Sequence, residues 1–590
     1  MLAWGKANCV VLFCANCITI GGDGEHEHTV LGVSTWPKRK DEDILFPRYF
    51  DLRNIDGFNY VSPLRNQDIP TYCDSSWAIA ATAVVADRMR LRTYGAWPTK
   101  QLAAQVLINC DYDSYGCSGG TPTSAYYYMK YTGIPDESCL PLTGTQERCE
   151  DVNICRSCEE SGSCYPVRDY TTYKVADYGR LAGEKAMMAE IYQSGTISCR
   201  INVNRAFTNY QKGIFSQDGL SLYTHYITIV GWGEEDGVKY WIVRNTWGSY
   251  WGEQGYARVL RGSGVMGIES DCSWGEPLLS GLNSVNNTAT SPASSRTSST
   301  GSRTSSTASR VTSTGSRTAG KRARESFSSC GYPTDWTVIK PVIRSPLPAS
   351  YVNVSALPAS FDIRFLRGRN YATPEKNERS PLFCNACWAQ ATTSALSDRL
   401  NLRRKGAWPM FLASSQALLN CVGNGCGGGD PGDVYRHAYL NGIPDTTCQT
   451  YEGEQKACQP LGTCMDCGRD GDCWGVSEYR RLFVSEYGEV SGVDAMKAEI
   501  HERGPITCFM VMTKEFMEYE GGVFVEHDHH YKGGHIVEVT GWGVTEAGQP
   551  YWIVRNNWGE NWGENGWVRV NMGGSNLMIE TSCSWGVPFV

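Results

Sequence analysis

No apolar run in this chain approaches the roughly 20 residues that a helix needs to cross a bilayer, so stable membrane insertion is not expected. Strong charge is lacking too: a net charge of −8 over 590 residues calls for no nucleic-acid partner. Two CxxC pairs, Cys155/Cys158 and Cys464/Cys467, are each followed by one further cysteine, Cys164 and Cys473. Neither set has a second pair or histidines at finger-like spacing, so zinc is disfavoured and no metal or cofactor is assigned. Residues 280–326 hold few apolar side chains; Ser, Thr, Arg, Gly and Ala dominate. So little apolar surface cannot offset the entropy of ordering, and the stretch reads as a disordered linker.

Cysteine, by contrast, is abundant. There are 25, and that density suits an oxidising, secreted or lysosome-like compartment. Lys6 precedes a short apolar stretch, Cys9 to Gly21, which gives the expectation of a secretory signal over residues 1–22. A short pro-segment or extension would fill residues 23–46. The rest is organised by repetition. GlyAlaTrpPro occurs at 95–98 and 406–409, GlyIleProAsp at 133–136 and 442–445, and TyrTrpIleValArgAsn at 240–245 and 551–556. The units are of domain size, so this is a tandem duplication. It divides the chain into residues 47–279, the linker 280–326, a pro-segment-like stretch 327–357 and residues 358–590. Lys321-Arg322-Ala323-Arg324 reads either as solvated charge or as a processing site that separates the halves.

One pentapeptide frame anchors both copies. It reads Cys384-Asn385-Ala386-Cys387-Trp388 in the second and Cys73-Asp74-Ser75-Ser76-Trp77 in the first. Ala389, Leu396 and Leu400 recur at helical spacing, which predicts a helix starting near Cys387. A thiol there feels the positive end of the helix dipole, which favours thiolate. His535 opens a predicted strand and Asn556 follows another. Nucleophile, base and orienting group are then Cys387, His535 and Asn556.

These motifs resemble the papain family of cysteine peptidases, and within it the cathepsin Z group, over about residues 47–278 and 358–590. The resemblance implies an α+β fold: two tandem papain-like domains, each with a helical subdomain and a β-barrel-like subdomain flanking a cleft. It implies Gln67 and its counterpart Glu378 in the oxyanion region, with Arg379, Gly427, Gly428 and Trp558 as substrate-binding residues. The implied disulfides are Cys73–Cys117, Cys110–Cys149, Cys139–Cys155, Cys158–Cys164 and Cys199–Cys272, then Cys384–Cys426, Cys421–Cys458, Cys448–Cys464, Cys467–Cys473 and Cys508–Cys583. Cys330-Gly331-Tyr332-Pro333 resembles a short propeptide whose cysteine would cap Cys387 and keep it latent. Partners would be peptide or protein substrates and protein inhibitors.

Both copies depart from the pattern. The first keeps Gln67, His225 and Asn245 but has Ser76 at the nucleophile position, and is expected to be inactive. The second has Glu378 where an amide donor is expected; losing one oxyanion donor costs about 3–4 kcal/mol. A protonated Glu378 could donate instead, or Asn377 could replace it. Arg379 stands where the group has a histidine that holds the substrate's terminal carboxylate. His527, His529 and His530 read as a solvated loop near the cleft wall. The expected activity is peptide-bond hydrolysis by thiolate attack in the second domain, by trimming from the C-terminus. The competing reading is a peptide-binding or inhibitor-sequestering protein with both sites compromised.

Overall fold

Two helices with almost no exposed face set the frame of the molecule. A computed structural model describes residues 44–279, 329–574 and 576–590. The expected signal, nearly all of the N-terminal extension and the linker lie outside these residues. Helix Ser76–Arg92 buries fourteen of its residues, and helix Cys387–Arg403 buries Cys387 through Asn401 without a break. A helix apolar or paired all round belongs in the middle of a domain. Each lies between a helical layer and a sheet, so each domain has two cores. The first domain packs Trp77, Leu107 and Tyr126 on one side and Ile201, Trp232 and Trp241 on the other. The second repeats this with Trp388, Leu419 and Tyr435, then Met510, Trp542 and Trp552.

The sheets follow one plan. In the second domain Ile506–Met512 pairs antiparallel with Gly533–Val544, which pairs with Pro550–Arg555. The first domain repeats this with Ile197–Val203, Tyr223–Glu235 and Val238–Arg244. Neither run of strands returns to its own first strand, so the sheets curl without closing into a barrel. All eleven bridges are present, the ten within domains and Cys330–Cys387. Among the described residues, no helix is long and apolar enough to cross a membrane.

The two domains meet through a contact that is nearly its own mirror. The Asn59 amide donates to Gly406 O at 2.9 Å, and the corresponding Asn370 amide to Gly95 O at 2.8 Å. Asn66 Nδ2 donates to Thr447 O at 3.0 Å and Asn377 Nδ2 to Ser138 O at 2.9 Å. The Ser249 amide donates to Thr447 Oγ1 at 2.9 Å and the Glu560 amide to Ser138 Oγ at 3.0 Å. Arg53 lies over Trp408 at 4.5 Å, and Arg364 over Trp97 at 5.2 Å. Residue i of one copy meets j of the other, and j meets i, as across a homodimer twofold. Some contacts have no mirror, and one of them is fully buried. Lys100 reaches Glu375 at 3.3 Å and Glu560 at 3.1 Å, all three buried. At the matching positions stand Phe411, Leu64 and Ser249.

Candidate active site

Cys387 is the first residue of its helix, and the preceding Ala386 supplies no side-chain cap. The first-turn amides are therefore left for other partners. The Ile536 amide donates to Cys387 Sγ at 3.4 Å. His535 sits on the strand Gly533–Val544, opposite Met510, and is fully buried. Its Nε2 is 2.8 Å from Asn556 Oδ1. That oxygen can only accept, so Nε2 carries the hydrogen and Nδ1 keeps its lone pair. Nδ1 faces Cys330 Sγ at 3.0 Å. The Trp558 ring covers the imidazole with centroids 4.9 Å apart. The fold thus brings Cys387, His535, Asn556 and Trp558 to one place. Burial pushes the imidazole down to about 4, Asn556 pulling up against it and Arg379 adding to the fall. With its sulfur in a disulfide, Cys387 is shut off and His535 is neutral.

The pro-segment occupies the cleft as a strand would. The Cys330 and Gly331 amides donate to Gly534 O, at 3.2 and 3.3 Å. The Tyr332 amide donates to Gly429 O at 3.1 Å and the Gly429 amide to Cys330 O at 3.2 Å. A Cβ on Gly534 would stand 2.3 Å from Gly331 O, so only glycine allows this approach. Gly428 lies against the segment too, where a Cβ would meet Ser329 O at 2.8 Å. Gly427 does not: it faces its own loop, where a Cβ would meet Asn424 Nδ2 at 2.1 Å. Gly429 and Gly534 were not picked out from sequence. The run Gly427-Gly428-Gly429 was the available signal for the first of them.

Glu378 departs from the donor role expected of it. Both carboxylate oxygens accept: Oε1 from Trp558 Nε1 at 2.7 Å and Oε2 from the Ala386 amide at 3.1 Å, with the Cys387 amide also directed at the group. It therefore lies against the backbone donors that a developing oxyanion would use. Burial pushes its carboxyl up to about 7, against the pull of Arg379, Trp558 and the two amides. Asn377 Nδ2 donates to Ser138 O of the first domain at 2.9 Å. Arg379 is half-buried rather than free in solvent: its guanidinium lies 4.4 Å from the Trp558 ring centroid and its buried Nε has no partner.

The first cleft keeps the frame without the chemistry. His225 Nε2 is 2.8 Å from Asn245 Oδ1, as in the second domain. Its Nδ1 is buried and has no hydrogen-bond partner, so Ser76 is not held by a base. Ser76 Oγ accepts from the Tyr226 amide at 3.2 Å instead. Gln67 Oε1 accepts from Thr246 Oγ1 at 2.8 Å. The neighbouring domain also reaches in: Arg469 pairs with Asp74 at 3.2 Å and lies 3.5 Å from the Tyr223 ring centroid. His527, His529 and His530 are exposed, and each pairs with a different carboxylate: Glu515, Glu526 and Asp528.

A family model described as papain family cysteine protease matches residues 46–275 and again 357–587. Cathepsin Z of Onchocerca volvulus is 42% identical over 249 residues, 41% of this chain and 81% of that protein. A gut-specific cysteine proteinase of Caenorhabditis elegans is 30% identical over 248 residues, 39% of this chain and 74% of that protein. The solved procathepsin B S9 of Trypanosoma congolense is 26% identical, covering 44% of this chain and 87% of that one at a TM-score of 0.38.

Proposed function

Since the chain belongs, in both of its halves, to the papain family of cysteine proteases, we propose that its second domain alone hydrolyses peptide bonds and that residues 327–357 hold it latent. The observation that carries this is the placement of Cys387 Sγ at an uncapped helix start, beside an imidazole whose tautomer Asn556 fixes. Once a thiol reductant opens Cys330–Cys387, the freed thiol passes its proton to His535 Nδ1. The thiolate attacks the peptide carbonyl carbon, and the tetrahedral oxyanion turns toward the amides at the helix start. His535 returns the proton to the leaving amine, and water then releases the acyl group from sulfur. Asn556 holds the ring throughout. Eleven disulfides support a secreted or lysosome-like setting.

A thiol-directed epoxide tests this. Before reduction none of the cysteines among the described residues should react. After reduction and removal of the pro-segment, Cys387 should be labelled stoichiometrically, and peptide cleavage should stop as labelling completes. An unreactive Cys387 in the matured protein would refute the proposal.

C-terminal trimming is the mode supported by Arg379, a half-buried guanidinium with an unpartnered Nε beside His535 and Trp558. Such a fork suits a terminal carboxylate. Arg379→Ala should raise KM about tenfold for peptides with a free C-terminus, the worth of one charge-assisted contact. Amidated peptides should be unaffected; equal losses on both would sink the carboxypeptidase reading.

The second reading, a peptide-binding pseudopeptidase, is favoured by one observation, the Glu378 carboxylate lying against the helix-start amides. It predicts peptide binding without epoxide labelling after maturation.

A further inference from the structure

The strip that carries Glu378 and Trp558 is held from outside its own domain. Residues 377–380 and 558–560 flank these two side chains, and beside the bonds within their own domain they carry a set of ties to the first domain. The Cys158 amide donates to Arg379 O at 2.9 Å. Ser380 Oγ donates to Cys139 O at 2.9 Å, and Asn377 Nδ2 to Ser138 O at 2.9 Å. Ser138 Oγ accepts from the Glu560 amide at 3.0 Å. Tyr173 OH donates to Glu560 Oε1 at 2.6 Å. Lys100 stands between Glu375 and Glu560, with Asp136 close enough to act on all three. Glu375 is further tied by Trp567 Nε1 at 3.2 Å.

We propose that the first domain is a positioning partner for the second: through Lys100, Ser138 and Tyr173 it fixes the segments that hold Glu378 and Trp558 against Cys387 and His535. The inference rests on the second domain being the active one. It gives the half with Ser76 a task that needs no nucleophile. The first cleft is turned to the same use, since Arg469 of the second domain docks in it on Asp74 and Tyr223.

The Lys100 cluster is the place to break the clamp. Burial works to lower the Lys100 ammonium, but Glu375 and Glu560 more than offset it, so the cation persists well past neutrality. Burial also holds Asp136 above its ordinary range, Lys100 pulling down and the two glutamates pushing up. Removing the cation leaves Glu375, Glu560 and Asp136 facing one another and Tyr173. At neutral pH they repel, and moving apart displaces the strip; uptake of protons as pH falls relieves the repulsion. A clamp weakened this way should fail at neutral pH and recover in acid.

The experiment is Lys100→Met in the full chain, reduced and matured, with active sites counted by epoxide labelling. A misplacement of about 1 Å can cost about 10²-fold in turnover, and a strip loosened without leaving its place should cost less, about tenfold. We expect kcat per labelled site at pH 7.5 to fall by about that factor with KM within twofold. The deficit should close below pH 5, and Lys100→Met/Glu560→Gln should restore turnover. Hydrogen exchange should speed at the amides of Glu378, Gly559 and Glu560 and not in the helix Ser76–Arg92. Should Lys100→Met fail to fold, Tyr173→Phe is expected to give a smaller loss with the same local exchange signature. Unchanged exchange at these three amides, with wild-type kcat and pH profile, overturns the proposal. If the unaltered protein labels no Cys387, the peptidase reading fails, and exchange at Gly559 and Glu560 still decides whether the first domain clamps the strip.

Discussion

Glu378→Gln should raise turnover at pH 8 by about tenfold, because a carboxyl titrating at about 7 leaves only about one site in ten neutral there, and should remove the fall in activity expected as pH rises through about 7. The sign follows from the carboxyl's position. Below about 7 Glu378 is mostly neutral; above it the group is charged and sits on the Ala386 and Cys387 amides. A carboxylate there both occupies the donors and repels the oxyanion. Glutamine keeps an acceptor for Trp558 Nε1 and offers an NH₂ in place of the charge. The measurement is kcat against pH for the matured enzyme and the variant, normalised to epoxide-labelled sites. Superimposable curves would show that Glu378 plays no part in the oxyanion step.

Ser76→Cys, made on a Cys387→Ala background, turns the first cleft from inert to epoxide-reactive. Gln67, His225 and Asn245 are all in place there, and His225 Nδ1 lacks a partner. Loss of a nucleophile costs as much as 10⁶ in kcat in serine enzymes, so restoring one should lift peptide turnover by on the order of 10³ even in an imperfect site. Among the described residues the new thiol has no counterpart of Cys330 to cap it, and on that ground it should react without prior reduction. Failure to label would mean that Arg469, lying on Tyr223 beside this imidazole, blocks the cleft or keeps His225 from taking up the proton.

How much of this was readable in the chain depends on the distance over which each feature acts. The duplication, the helix beginning at Cys387 and the strand bearing His535 are local patterns, and they stand where the sequence put them. The disulfides came from resemblance, and all ten within domains recur, as does Cys330–Cys387. Glu378 was visible as an oddity at a donor position, but its bonds to Trp558 and Ala386 need two loops 180 residues apart to meet. Gly534 became significant only because Gly331 runs past it, and Gly429 lies one residue beyond the pair read as the cleft wall. The contact between the domains left no trace that could be read. Lys100, Glu375 and Glu560 are unremarkable charges until folding buries them together.

The near-mirror contact of the two domains carries a final consequence. A surface that recognises its own duplicate is an invitation to self-association, so a released second half would find its twin as well as its sister. In such a pairing each Glu375 and Glu560 would face Phe411 where Lys100 now stands. Buried carboxylates without a counter-ion are costly enough to reject that arrangement. One lysine therefore sorts unlike halves from like ones, and severing the tether between them need not part the couple.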